Sequence, residues 1–341
     1  MEIQQLLSQA DRQIGRLDMY SEYIPNIELF ISMHVAKEAT QSSKIEGIQT
    51  NIEDAFLEKE DLGKERRDDW EEVQNYISAM NQAIAELDRL PLSSRLIRDT
   101  HRILLKSVRG QHKLPGEFRR SQNWIDGASI NNASFIPPEC SSIPELMNDL
   151  EKFVHNEDFF FPDLLKIALI HYQFETVHPF LDGNGRVGRL LITLYLVDKN
   201  ILKSPILYLS DFFERNRTLY YDKLMRVRTH NDITQWFKFF LEGVIDTAKN
   251  AIKTFDAILR LKKEKEELVQ GSYRSHHILK ILESLYQNPI TNAPKVVNIT
   301  SISMPTAYKI IREMEEFGIL KEITGSKRGQ TFAFEPYINL F

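Results

Sequence analysis

The 341-residue sequence has a single cysteine, no long apolar run and almost no excess of charge of either sign. A lone Cys140 cannot form a disulfide within the chain, so a disulfide-stabilised scaffold is excluded. The most apolar window, "LLITLYLV" at 190–197, is far shorter than the ~20 residues of a membrane span and predicts a buried helix. The start, "MEIQQLLSQADRQIGRL", lacks the basic end and apolar run of a signal peptide. These absences predict a cytoplasmic protein without a membrane partner.

The net charge is equally uninformative about a polyanionic partner. It is formally -5 at pH 7 over a chain of ordinary composition. Such a weak overall charge favours neither nucleic acid nor an anionic membrane, and any nucleic-acid contact has to come from a local patch. The length allows a sizeable core and more than one domain.

Apolar residues recur with helical spacing through most of the chain, and this predicts a mainly α fold. The clearest helical segments are 70–90, 144–157, 161–177 and 233–270. The exception is "QNWIDGASINNASFIPP" at 122–138, where β-prone pieces flank Asp126-Gly127 and Asn131-Asn132. Turn-forming pairs between short strands predict an irregular hairpin, a small β-hairpin flap on the helical core.

The pattern changes at about residue 271. From there to the end, the sequence predicts three helices and a two-stranded wing, which together are typical of a winged-helix domain. Ser303 and Pro305 stand at the start of the recognition-type helix. Lys and Arg barely outnumber the acids there, although Lys327 and Arg328 at the wing tip could touch phosphates. DNA contact is therefore less favoured than protein docking or dimerisation.

The stretch "HPFLDGNGRVGRLL" at 178–191 gathers groups that suit a polyphosphate. Gly183 and Gly185 precede an apolar helix, and a glycine turn at a helix N-terminus can aim several N–H groups at one anion. Arg186 and Arg189 are three residues apart, so they share a face, and their planar guanidinium groups suit phosphate oxygens.

Three neighbouring residues add reactive groups to this anion site. Asp182 can hold the Mg2+ that accompanies phosphates, and Asn184 can donate an amide hydrogen bond to a phosphoryl oxygen. His178 is the one group here that accepts a proton near neutral pH. A helix cap with solvated arginines would need neither a histidine nor an acid in front of it. The combination is the set required to pass part of a nucleotide to a hydroxyl.

The same stretch resembles the Fic-domain family, whose motif is similar in form to H-P-F-x-[DE]-G-N-G-R-x-x-R, and every fixed position is filled. The flanking "HYQFETVHPF", "PGEFR" at 115–119, "FIPP" at 135–138 and "SDFFERNRTLYYDKLMRVR" at 210–228 also resemble the family, so the similarity covers about residues 20–250. The resemblance implies transfer of AMP from ATP, with Mg2+, to a Ser, Thr or Tyr hydroxyl of a target protein.

The resemblance also implies roles for individual residues. His178 would deprotonate the hydroxyl, Asp182 would hold Mg2+, and the two arginines would hold the β- and γ-phosphates. Phe180 would be structural, and a target segment could pair with the edge of the flap. The implied nucleotide-binding residues are Gly183, Asn184, Gly185, Arg186, Val187, Gly188, Arg189, Asn216, Tyr220 and Tyr221. For the two tyrosines the alternative is a core position.

A second stretch, "SSKIEGIQT" at 42–50, bears on regulation. Ser42 and Glu46 are four apart on a predicted helix, and Gly47 stands where a C-terminal cap belongs. In the Fic family this pattern marks an inhibitory helix. The resemblance therefore implies that Glu46 pairs with Arg189 and leaves ATP in an unproductive pose. Removal of AMP by the same glutamate is neither supported nor excluded.

The predicted domains are an N-terminal helical region carrying the inhibitory helix (1–110), a Fic catalytic core (111–250), a linker helix (251–270) and a winged-helix domain (271–341). Two other functions stay open: a DNA-binding regulator whose core senses a nucleotide, and a Fic transferase with another phosphate-containing donor. His178 favours an enzyme, because a sensor has no need of a base. Self-modification and a homodimer are left open.

Overall fold

The computed structural model describes residues 2–24, 26–106, 111–158, 160–325 and 329–341. Lys327 and Arg328, the predicted phosphate contacts of the wing, lie outside the described residues. The fold is mainly α-helical, as the periodicity predicts. The helices of the first 270 residues are α1 (Glu2–Tyr23), α2 (Glu28–Ile45), α3 (Arg67–Glu86), α4 (Ser94–Leu104), α5 (Ile143–His155), α6 (Asp163–Val177), α7 (Asn184–Asp198), α8 (Ser210–Arg215), α9 (Arg217–His230) and α10 (Ile233–Val269).

The centre of the fold is α7, which contains the most apolar window of the sequence. It is buried on nearly every side, with Leu190, Leu194 and Tyr195 at most 1% exposed. It packs against α3, α4 and α6. A helix that is apolar all round belongs in a core, so the motif residues at its start are anchored by the best-packed element of the protein.

The longest helix, α10, runs unbroken over 37 residues, or ~55 Å at 1.5 Å per residue, and α1 packs along it. The predicted division between core and linker at 250/251 therefore falls inside one continuous helix. Its start is capped by Asp232, whose side chain accepts a hydrogen bond from the Gln235 N–H at 3.4 Å.

The C-terminal region contains α11 (Ser275–Gln287), β1 (Ile290–Asn292), α12 (Ala293–Thr300), α13 (Met304–Glu316), β2 (Lys321–Glu322), β3 (Thr331–Ala333) and α14 (Glu335–Ile338). The sheet is antiparallel with β3 in the middle, so that Ala333 lies opposite both Ile290 and Lys321. The three helices and the paired β2 and β3 agree with the sequence. The third strand, β1, was not predicted, since three residues are too few to give an alternating pattern.

The flap, residues 122–138, is less regular than a hairpin of two strands. Its two sides meet in one isolated bridge between Ile125 and Phe135, and a 3-10 turn covers Ile130–Asn132. The Asp126 carboxylate accepts hydrogen bonds from Gly127 N–H and Ser134 Oγ, both at 2.8 Å. Side-chain hydrogen bonds thus replace the ladder of a true hairpin here. Elsewhere among the described residues, no helix combines the length and the apolar character needed to cross a bilayer.

Candidate active site

The motif loop, residues 178–183, joins the end of α6 to the start of α7. His178 has left-handed backbone angles (φ 49°) and its N–H still donates to Phe174 O at 2.9 Å. Gly183, also left-handed (φ 75°), is the last residue before α7. The two left-handed positions reverse the chain at each end of the loop, and the second suits glycine, which has no side chain to clash.

Two buried contacts brace this loop from within. The ring of Phe180 is fully buried and stacks on His101, with centroids 3.7 Å apart and an interplanar angle of 8°. The Asn184 amide spans the turn: Oδ1 accepts from Phe180 N–H and Nδ2 donates to Phe180 O, both at 2.8 Å. Asn184, expected from the sequence to donate to a phosphate, is thus engaged in holding the loop, and one amide hydrogen remains.

Arg119 braces the loop from outside and was missed by the residue-level argument, which singled out "PGEFR" only as a resemblance. Its side chain is buried, and Nε donates to His178 O at 3.0 Å. The other guanidinium nitrogens donate to Ser121 O and Pro138 O, at the two ends of the flap. One arginine therefore ties the flap to the residue expected to act as base.

The half-buried His178 ring is held neutral by its surroundings. Burial penalises the charged form and lowers the pKa of His178 to about 4, although the Glu175 carbonyl and the Glu46 charge act in the opposite direction. Nδ1 lies 3.4 Å from Glu175 O. A carbonyl only accepts, so Nδ1 carries the hydrogen and Nε2 keeps its lone pair. A neutral imidazole with a free nitrogen is what a proton acceptor at pH 7 requires.

Arg189 contacts two residues of the N-terminal region. Nε donates to Ser42 Oγ and one terminal nitrogen donates to Ser42 O, each at 2.8 Å. That nitrogen also donates to Glu46 Oε1 at 2.7 Å. Burial is the largest single effect and lowers the pKa of Arg189, but the charge of Glu46, together with Tyr220, Tyr221 and Glu175, raises the pKa of the guanidinium above its ordinary value. Glu46 therefore lies against Arg189 as the family resemblance implies, and the contacts of Ser42 with Arg189 were not predicted.

Gly47 follows the end of α2 at the position predicted for a C-terminal cap. Helix α2 ends at Ile45, Glu46 is the cap residue, and Gly47 is left-handed with φ 89°. Its N–H donates to Lys44 O at 2.9 Å. The Glu46 carboxylate also lies close to the motif, because a β-carbon at Gly185 would overlap it.

Arg186 has an acidic partner that the sequence did not point out. One terminal nitrogen donates to Glu72 Oε2 at 2.7 Å, and both side chains are buried. The other terminal nitrogen is 3.7 Å from Asp182 Oδ1. Glu72 stands in an acidic run at the start of α3, which reads in sequence as a solvated face, and only the packing of α3 on α7 brings it to the motif.

Behind α7 lies a second unpredicted acid, Glu175. It is 6% exposed, and burial raises the pKa of its carboxyl to about 7, against the opposing charge of Arg189. Its Oε1 has no hydrogen-bond partner among the described residues. A β-carbon at Gly188 would overlap this carboxyl, so the second glycine after Asn184 serves close packing of α6 against α7.

Asp182 is the single acid of the motif, and its side chain is 47% exposed to solvent. Oδ1 accepts the Gly183 N–H at 2.6 Å. Within the described ranges, no group of three or more His, Cys, Asp or Glu side chains could hold a metal ion. A single carboxylate nevertheless fits Mg2+ that is bound mainly by substrate phosphates and water.

The last three of the implied nucleotide-binding residues, which the resemblance places on the adenine side of the nucleotide, have different surroundings. Tyr220 is buried and its hydroxyl lies 2.9 Å from His171 Nε2, so it belongs to the core in this structure. Tyr221 is 38% exposed. The half-buried Asn216 donates from Nδ2 to Phe212 O at 2.9 Å. Of the three side chains, Tyr221 is exposed and Asn216 is partly exposed, so these two are accessible to a ligand. Val187 is buried and packs in the core.

Comparison with known proteins agrees with this architecture. The family model of the Fic/DOC family N-terminal region matches residues 4–85, and that of the Fic/DOC family matches residues 91–196. A Fic family protein from Desulfovibrio desulfuricans G20 superposes over 98% of this chain and 95% of its own, with a TM-score of 0.62 and 20% identity. A Fic domain containing signaling protein from Bacteroides thetaiotaomicron gives a TM-score of 0.58. At such identities these structures share the fold.

Curated relatives match over shorter stretches. The protein adenylyltransferase Fic of Aedes aegypti is 32% identical over 128 residues, which are 37% of this chain and 23% of that protein. A probable protein adenylyltransferase of Aquifex aeolicus is 27% identical over 177 residues, 52% of either chain. The match thus spans from a quarter to a half of these relatives' length. Because both family regions are matched in order and the helical fold agrees, the chain belongs to the Fic/DOC family.

Proposed function

We propose that this protein is a protein adenylyltransferase, which transfers AMP from ATP to a Ser, Thr or Tyr hydroxyl of a target protein and is held inactive by the contact of Glu46 with Arg189. The observation that carries the proposal is the joining, in one loop and helix start, of a neutral His178 to two buried guanidinium groups. The names of the curated relatives support the choice of ATP as donor.

In the proposed reaction, the hydroxyl oxygen of the target attacks the α-phosphorus of ATP. His178 Nε2 takes the proton, and the bond from the α-phosphorus to the bridging oxygen breaks. Pyrophosphate leaves with its charge stabilised by Arg186 and Arg189. Mg2+, when bound, neutralises phosphate charge, and Asp182 would hold it. Arg186 and Arg189 anchor the tail of ATP, which leaves the α-phosphate to face the base.

The proposed inhibition follows from the donors that Arg189 has already committed. Nε and one terminal nitrogen are used by Ser42 and Glu46, so a γ-phosphate has to compete for the same guanidinium. The Arg189 side chain is 1% exposed, so its charge would be left uncompensated without an anionic partner, and Glu46 supplies that partner in the absence of nucleotide. Removal of the Glu46 carboxylate frees the donors and is expected to activate transfer.

The flap supports a protein as the acceptor of AMP. It exposes three apolar side chains, with Trp124 at 42%, Ile130 at 39% and Ile136 at 50%. Its ends are fastened to the His178 backbone through Arg119. An extended target segment that docks along the flap would bring its hydroxyl toward His178.

For residues 271–341 we retain the winged-helix interpretation, supported by the helices α11 to α13 and the sheet of β1, β3 and β2. We assign it a docking role and not DNA reading. Contacts with the inhibitory helix favour this, because Ser32 Oγ on α2 donates to Gln287 O on α11 at 2.7 Å. The candidate of a DNA-binding nucleotide sensor gains no support from such contacts.

The test measures label from α-phosphate-labelled ATP with Mg2+ on protein. The parent, Glu46→Gly, and Glu46→Gly with His178→Ala are compared, with Glu53→Ala as a control that removes an exposed acid nearby. Label is expected with Glu46→Gly alone. The same assay with γ-labelled ATP detects phosphoryl transfer. Label on protein in that assay would mean that the enzyme transfers a phosphoryl group and not AMP. No label in any variant, with ATP binding intact, would reject transfer from ATP and favour either the nucleotide sensor or a transferase with a different donor.

A further inference from the structure

Both arginines of the motif are paired with a carboxylate from the region before residue 85, and the two carboxylates differ in exposure. Glu46, beside Arg189, is 34% exposed at the end of α2. Glu72, beside Arg186, is 11% exposed and lies within α3. A carboxylate at a helix end can turn out into water, whereas one inside a packed helix loses its partner without gaining solvent.

From this difference we infer that Glu72 is a fixed positioning residue, which holds the Arg186 guanidinium in the orientation that binds the nucleotide phosphates. It remains in place when nucleotide binds and does not act as a second inhibitory acid. The inference deepens the proposed function and rests on it in one respect, that Arg186 meets a phosphate.

The donor count of Arg186 allows both partners at once. A guanidinium has five N–H donors. Glu72 takes one from a terminal nitrogen at 2.7 Å, and the other terminal nitrogen lies 3.7 Å from Asp182 Oδ1. Nε is buried and has no hydrogen-bond partner among the described residues. A buried donor without an acceptor is costly, and a phosphoryl oxygen is an acceptor that would satisfy it.

The carboxylate also fixes the geometry of the guanidinium. Arg186 is 4% exposed, and without Glu72 its remaining acidic neighbour would be Asp182, which is 3.7 Å away and 47% exposed. A guanidinium held at one corner by a buried carboxylate presents its other edge in a fixed direction. Loss of such a supporting contact at a metal ligand costs about 10- to 100-fold in affinity, and a comparable loss is expected here for phosphate binding.

The test is the ratio of ATP affinity to AMP affinity, measured by calorimetry with Mg2+ on the full chain in a Glu46→Gly background. AMP lacks the β- and γ-phosphates, so its binding reports the rest of the site. Glu72→Gln keeps the shape of the side chain and removes its charge, and Glu72→Ala removes both. Glu71→Gln is the matched control, since Glu71 is the preceding residue and pairs with Lys59. Arg186→Ala gives the lowest ratio of ATP affinity to AMP affinity that loss of this guanidinium can produce.

We expect ATP affinity to fall about tenfold in Glu72→Gln and further in Glu72→Ala, with AMP affinity unchanged. Both variants break a buried ion pair, so both should melt at a lower temperature than the background while remaining folded at the temperature of the binding measurement. Glu71→Gln should match the background. If ATP affinity stays constant in both Glu72 variants while Arg186→Ala loses it, the inference is overturned and the proposed function stands. Tighter ATP binding in either Glu72 variant would make Glu72 a second inhibitory acid and would also overturn it.

The binding ratio separates this inference from the proposed chemistry. A lost preference for ATP in the Glu72 variants, together with no AMP transfer by any variant, would support the positioning role and reject the transferase. Where Glu46→Gly does transfer AMP, Glu72→Gln in that background is expected to raise KM for ATP about tenfold. An increase in transfer by Glu72→Gln would contradict the inference.

Discussion

Arg189 and Ser42 lie 147 residues apart in the chain and meet through two hydrogen bonds of 2.8 Å, one to the serine hydroxyl and one to its carbonyl oxygen. Glu46 adds a third at 2.7 Å. The carbonyl bond belongs to the backbone of α2, so it survives any side-chain substitution. Substitution can therefore remove the two side-chain acceptors of Arg189 one at a time, while the carbonyl acceptor remains.

Ser42→Ala is expected to release the inhibition in part. The variant loses the acceptor of Arg189 Nε but keeps the carbonyl and Glu46, and a hydrogen bond to a charged group contributes about 1.5–3 kcal/mol. Labelling by α-labelled ATP should rise roughly tenfold, yet stay below that of Glu46→Gly. Ser43→Ala is the matched control, because Ser43 Oγ is buried and has no hydrogen-bond partner among the described residues. Equal labelling by the two alanine variants would contradict the role of Ser42.

Gly47→Ala should disturb the inhibitory contact through the backbone. Gly47 has φ 89°, and a β-carbon there meets no atom within 4 Å, so the cost is conformational, about 1 kcal/mol. We expect a lower melting temperature and higher basal AMP transfer, since Glu46 is the adjacent residue. Gly15→Ala, in α1 and equally free of clashes, should instead stabilise by about 0.5–1 kcal/mol. Destabilisation by Gly47→Ala with unchanged transfer would dissociate the turn from the inhibition.

His101→Phe should change how the free energy of unfolding depends on pH below pH 6.5. Burial lowers the pKa of His101 to about 4, against the opposing effect of the Asp182 carbonyl. An unfolded histidine takes up its proton near pH 6.5 and the folded one does not, so this contribution is present above pH 6.5 and is lost as pH falls toward 4. The loss is ~3 kcal/mol by linkage.

Phenylalanine keeps the stacking on Phe180 but gives up the hydrogen bonds to Asp182 O and Gly116 N–H. Chemical unfolding of His101→Phe should therefore show lower stability at pH 8 and a shallower decline between pH 6.5 and 4 than the parent. Parallel curves for the two proteins would mean that His101 does not titrate as its burial requires.

Arg228→Leu should loosen the flap. The Arg228 guanidinium lies 4.1 Å from the centroid of the Phe135 ring, and it donates to Glu175 O at 3.0 Å. A cation–π contact of this kind contributes about 1 kcal/mol. Limited proteolysis within residues 122–138 is expected to accelerate several-fold in Arg228→Leu. It should stay at the parent rate in Arg226→Leu, whose exposed ion pair with Asp232 lies apart from the flap. Equal cleavage rates for the two variants would contradict the role of Arg228 in stabilising the flap.

The sequence predicted the elements whose information is local. A few neighbouring residues encode the left-handed Gly183 and the apolar helix α7 that follows it. The same holds for the pattern of Ser42, Glu46 and Gly47. The meeting of Glu46 with Arg189 was implied only through the family resemblance, since no spacing rule relates positions 143 residues apart.

The residues that the sequence did not predict depend on contacts between distant parts of the chain. Glu72, Arg119 and Glu175 act through tertiary contacts, and in the sequence each resembles an ordinary surface charge. Asn184 shows a different limit: its amide chemistry suits a phosphate equally well, and only the structure shows that the loop itself uses both ends of the amide. Polar side chains reveal their type in sequence but not their partner.

The position of Glu46 at the end of a deeply packed helix sets how quickly the proposed inhibition could be lifted. Helix α2 is wedged among α3, α8 and α11, and even its polar residues Glu38, Thr40 and Ser43 are buried, so withdrawing it would expose part of the core. Rotation of one partly exposed side chain exposes almost nothing. Rotamer changes take picoseconds to nanoseconds, whereas local unfolding takes microseconds to seconds. The inhibited and released forms would then have nearly superimposable backbones, and their difference would be visible in a single χ angle.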